Sequence, residues 1–72
     1  MNEEPKTVAD ELMKEITRVR DRVLPAYNYV GGPAAIAAQM MRGSLDRATR
    51  ALAEGDAIQC IKSLEDLRGY SV

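Results

Sequence analysis

The chain has 72 residues, with ten basic and eleven acidic side chains, no histidine, no tryptophan or phenylalanine, and one cysteine. A domain of this size buries only about 60% of the surface its unfolded form exposes, and such scaffolds lean on disulfides, a metal or a partner chain. Cys60 alone cannot form an internal disulfide, and with no histidine a structural zinc site lacks its four N or S ligands, which leaves self-association or close helix packing.

Residues 1–6, MNEEPK, read as a polar lead-in that matches neither a signal nor a transit peptide. The single domain is expected over residues 7–72. Thr7 is placed to cap a helix, with Asp10 and Glu11 in the first turn, where the helix dipole favours acids. Ala9, Leu12, Ile16, Val19 and Val23 then fall at steps of three and four and predict an amphipathic helix. Glu11–Lys14 and Glu15–Arg18 are spaced to pair along it. Pro25 has no N–H and biases Leu24 away from the α conformation. The helix therefore stops near Val23, or kinks and runs on to Val30; the absence of another breaker before Gly31-Gly32 favours a kink or a short second piece.

Pro33 suits the first turn of the next helix, predicted from Pro33 to Glu54. Its main stripe is Ala34, Ala38, Met41, Leu45, Ala48 and Leu52. A second strip, Ile36, Met40, Gly43 and Ala51, lies beside it. This apolar surface is wider than one neighbour requires. Two readings follow: the helix is central within the chain, or the second strip faces another subunit or a partner protein. Gly43 adds to this, because a mid-helix glycine costs about 1 kcal/mol relative to alanine and suits a close helix crossing. Gly55 is placed as a C-cap and Asp56 as the next N-cap, with Gln59 completing a capping-box spacing. Ala57, Cys60, Ile61, Leu64 and Leu67 form the apolar face of the last helix, which Gly69 closes. The expected fold is all-α: a helical hairpin plus a short or kinked helix, assembled as a homo-oligomeric bundle.

The pattern offers little for catalysis. The commonest general base is missing, Ser44 and Ser63 read as ordinary helix residues, and Cys60 reads as a small buried hydrophobe. No carboxylate spacing resembles a calcium loop, so neither a metal nor a cofactor is expected. Near-balanced charge in every segment argues against a nucleic-acid polymer as partner, and no apolar run approaches the roughly 20 residues of a membrane span. A reducing, cytoplasmic setting is the expectation.

The stretch YNYVGGPAA, Tyr27 to Ala35, admits two readings. It is a helix joint, or it is a small ligand site. As a site, Gly31, Gly32, Ala34 and Ala35 would offer N–H donors at a helix N-terminus. Tyr27 and Tyr29 would stack on a base, and Arg42 would take a phosphate.

The stretch LDRATRALAEGDAIQCIKSLEDLRGY, Leu45 to Tyr70, with the short helical format, resembles small helical accessory proteins of phages and mobile elements. Among these it is similar to the phage helical-hairpin sponges that sequester cyclic nucleotide signals of bacterial immunity. The resemblance implies a homo-oligomer with ligand sites between subunits, acting on a host component. It assigns no role to a numbered residue.

Overall fold

The structure, a computed structural model, describes residues 7–71; the lead-in over residues 1–6 lies outside the described residues. It is all-helical. α1 (Val8–Arg18) passes through one wide turn (Val19–Val23) into α2 (Leu24–Val30), and these make one continuous rod. A tight turn leads to α3 (Pro33–Glu54), and a second to α4 (Ala57–Arg68).

The helix starts follow the sequence. The Thr7 side chain accepts from the Asp10 N–H at 3.0 Å, and the Asp56 side chain accepts from the Gln59 N–H at 3.0 Å. Each satisfies a backbone donor that the first turn leaves without a helical partner. Gln59 does not complete the capping box, because its side chain reaches Ser63 instead. Gly55 ends α3 in the left-handed region, φ 67° and ψ 29°. There the Asp56 N–H reaches the Ala51 carbonyl and the Gly55 N–H reaches that of Leu52, a paired closure that needs a left-handed residue between them.

Pro25 does not break the rod. Leu24 keeps helical angles, φ −57° and ψ −46°, and its N–H reaches back five residues to the Val19 carbonyl. A proline ring inside a helix collides with the carbonyl four residues earlier and withdraws one donor. The five-residue turn just before it widens the ladder at that place, as such insertions do. The rod therefore runs on to Val30, where Gly31 and Gly32 stop it.

α2 packs on α3, while α4 packs on both α1 and α3. The buried centre is Leu12, Val19, Val23, Met41, Ala48, Ala51, Cys60, Leu64 and Leu67. The main α3 stripe expected from the sequence thus faces inward, with Ala38, Met41 and Ala48 fully covered. Ion pairs tie the layers at the surface. Arg68 meets Glu11 at 2.6 Å, so Glu11 is engaged by α4 rather than by Lys14, while the Glu15–Arg18 pair forms at 2.9 Å. Arg18 also donates to the carbonyls of Leu67 and Tyr70, filling acceptors that the end of α4 leaves open.

Candidate functional site

The Tyr27–Ala35 joint and the α3 strip are the two places where the sequence points to binding, and the structure treats them differently. In the joint, Gly31 has φ 71° and ψ −163°, and Gly32 has φ 58° and ψ −134°. Side chains rarely adopt these angles, so the glycine pair is required by the turn itself. The N–H groups counted there as anion donors are largely engaged. Gly31 donates to Tyr27, Ala34 to Gly31 and Ala35 to Gly32, at 2.9 to 3.3 Å.

The two tyrosines also separate. Two residues apart on a helix, they point about 200° from each other. Tyr29 is 92% exposed. Tyr27 is half-buried, and its hydroxyl donates to the Ser71 carbonyl at 2.9 Å. They do not form one stacking platform. Arg42 donates to the Asn28 side chain at 3.0 Å, bracing α2 against α3 from the side away from Met40. The arrangement expected of a nucleotide pocket is thus not assembled at this joint within one chain.

The α3 strip divides at Ser44. On its N-terminal part Ile36 is 69% and Met40 60% exposed. Ala51, expected on the same open strip, is 1% exposed in the core, because α4 lies over it. A shallow groove runs beside Gly43, walled by Gln39, Met40, Ser44 and Arg47 of α3 and by Asp66 and Tyr70 beyond. Its floor is ordered by polar contacts. Ser44 is buried and shares a 3.1 Å hydrogen bond with the Tyr70 hydroxyl, while Arg47 donates to Ser44 at 3.2 Å. Arg47 also stands 3.8 Å from Asp66, across to α4. The close crossing expected at Gly43 does not occur within the chain. A Cβ added there would meet only the Arg47 Nη1 atom, at 3.5 Å.

Ser44 is the residue whose importance the sequence reading missed. Its only signal was its place one turn beyond Met40, on the side where α4 arrives. Cys60 is buried, as its position on the inner face of the last helix implied. Among the described residues no group of three or more His, Cys, Asp or Glu could hold a metal ion, and no helix is long and apolar enough to cross a membrane. The clearest electrostatic perturbation is remote from the groove. The Arg20 guanidinium, hydrogen-bonded at 2.8 Å, holds the Asp21 carboxyl below its ordinary range. Comparison with known proteins finds no matching family model, no curated relative and no similar solved structure.

Proposed function

We propose that this chain is a non-enzymatic helical binding protein that works as a homo-oligomer, its copies joined through the N-terminal half of α3. The observation that carries the reading is that Ile36 and Met40, two large apolar side chains one turn apart on α3, stand in solvent, with Met40 at the edge of the Gly43 groove. An apolar patch of this kind, rimmed by polar groups, marks an interaction surface. The chemistry of the chain supports a non-catalytic role. It has no histidine, and Glu11, Glu15, Asp21, Asp46 and Asp66 each stand against an arginine.

The setting we propose is that of a mobile-element accessory protein that inhibits or sequesters a host component, which is what the resemblance contributes. A cyclic nucleotide as the sequestered component draws no support from the geometry of the Tyr27–Ala35 joint. A host protein docked on the same α3 face is the competing reading.

Sedimentation equilibrium together with native mass spectrometry tests the proposal. The wild-type chain is expected to associate at high micromolar concentration. Met40→Glu should remain a single chain with unchanged helical circular dichroism. A wild-type chain that stays single at several hundred micromolar would overturn the homo-oligomer reading, and a co-purifying host protein on its α3 face would replace it.

A further inference from the structure

We infer that α2 is a flap that swings off α3 as a unit while the rest of the fold stays packed, and that the C-terminal tail of the chain is the latch that holds it shut. The wide turn Val19–Val23 and the Gly31-Gly32 pair are its two hinges. The device belongs to the single chain and stands apart from the homo-oligomer reading.

The first observation is where α2 finds its packing. It spans seven residues and buries none of them, whereas α1, the wide turn, α3 and α4 each bury at least one. Its hold on the core is the half-buried pair Leu24 and Tyr27, and its neighbour is α3. A segment with so little covered apolar surface opens locally before the chain unfolds as a whole.

The second is that both of its ends are built to turn. Upstream, Pro25 has no N–H to give, and the wide turn before it already departs from the regular ladder. Downstream, Gly31 and Gly32 hold φ of 71° and 58°, and glycine leaves such angles for others without a side-chain penalty. α1, by contrast, is tied to the end of α4 through Arg68–Glu11 and through Arg18 on the Leu67 carbonyl. The rod thus has a fixed half and a lightly held half, with the wide turn between them.

The third is the latch. The tail beyond α4 is anchored twice without any help from α2. Arg18 of α1 donates to the Tyr70 carbonyl at 2.9 Å, and the Tyr70 hydroxyl shares its 3.1 Å hydrogen bond with buried Ser44 of α3. From this fixed post the Ser71 carbonyl accepts from the Tyr27 hydroxyl at 2.9 Å. When that bond breaks, the tail keeps both anchors and α2 is the part released. Arg42 braces the flap on its other side through Asn28, but that bond lies at the surface, and water replaces it on opening. The flap runs back along the first turns of α3, so opening uncovers the side of those turns on which Ala37 and Ala38 lie.

Amide hydrogen exchange tests the device, at a concentration where sedimentation finds a single chain. The amides of Asn28 to Gly31 should exchange at least a hundredfold faster than those of Ala48, Ala51 and Leu64. Tyr27→Phe, which keeps the ring and loses the bond, should speed the α2 amides by about twofold to tenfold, the loss of one hydrogen bond. It should leave α1 and α4 unchanged. A chain ending at Tyr70 removes the same acceptor and should give the same factor, with no further gain when the two changes are combined. Tyr29→Phe, at a solvent-exposed ring, is the control and should do nothing. Alpha-2 amides as protected as those of the core would overturn the flap. Equal acceleration in every helix, or additive effects of the two changes, would overturn the latch.

Discussion

The two halves of α3 carry the same kind of surface and meet opposite fates. Residues 40, 44 and 51 lie along one side of the helix. At the C-terminal half α4 runs over that side, and Ser44 and Ala51 are each 1% exposed. α4 ends at Arg68, and the last contacts to this side of α3 are Asp66 with Arg47 and Tyr70 with Ser44, so Met40 one turn further on is left in solvent. What separates a core position from an exposed one here is the length of a neighbouring helix. The residue itself does not decide it.

The largest expected effect comes from placing the same charge on both halves. Ala51→Glu puts an unpaired carboxylate under α4, four extra heavy atoms in all. It should destabilise the chain by about 3 kcal/mol or more, read by urea unfolding. Met40→Glu should change stability by no more than about 0.5 kcal/mol, as a surface substitution does. Equal losses at both sites would end the comparison, because the two halves would then be covered alike.

The hinge at the bare end comes next. Gly31→Ala should cost about 1–3 kcal/mol through the backbone alone, since φ is 71° and no atom lies within 4 Å of the added Cβ. A melting temperature unchanged from wild type would show that the turn relaxes freely. Gly43→Ala should act in the opposite direction. In dilute solution it should stabilise the single chain by up to about 1 kcal/mol, and at high concentration it should weaken association, because the groove is filled. If it stabilises without affecting association, the groove is not the contact.

The smallest effect belongs to a site remote from both halves. Asp21 is exposed, and its carboxyl is held below its ordinary range by the Arg20 hydrogen bond. A group whose folded value is lowered stabilises above its ordinary range, and that contribution fades as the pH falls through the lowered value. Asp21→Asn should therefore flatten the acid limb of the stability–pH curve only slightly and leave association unchanged.

Local signals in the sequence were read with good fidelity. Thr7 and Asp56 accept the N–H bonds their types predict, Gly55 takes the left-handed angle, Pro33 opens α3, and the main α3 stripe faces the core. These depend on a few neighbouring residues, so spacing suffices to find them. The wide turn before Pro25 was not legible, because proline predicts a disturbance without saying whether the helix breaks or absorbs it. The Tyr27–Ala35 stretch stayed open between a helix joint and a ligand site for a related reason. Residue types named donors and rings, but the turn engaged the donors and the helix sent the rings apart.

By itself the sequence determined the helices, the Thr7, Gly55 and Asp56 caps, most of each inner stripe and the excess apolar circumference of α3, since these follow from short-range stereochemistry and period. Ala9, Ala57 and Ile61, expected on inner faces, stand exposed because they lie at helix starts and edges that no neighbour covers. Only the tertiary structure decided which part of that excess is covered. The C-terminal tail and α4 return to α3 across intervals of 19 to 26 residues, in the Arg47–Asp66 and Ser44–Tyr70 contacts. Packing at that range depends on relative helix length and placement, which no local pattern records.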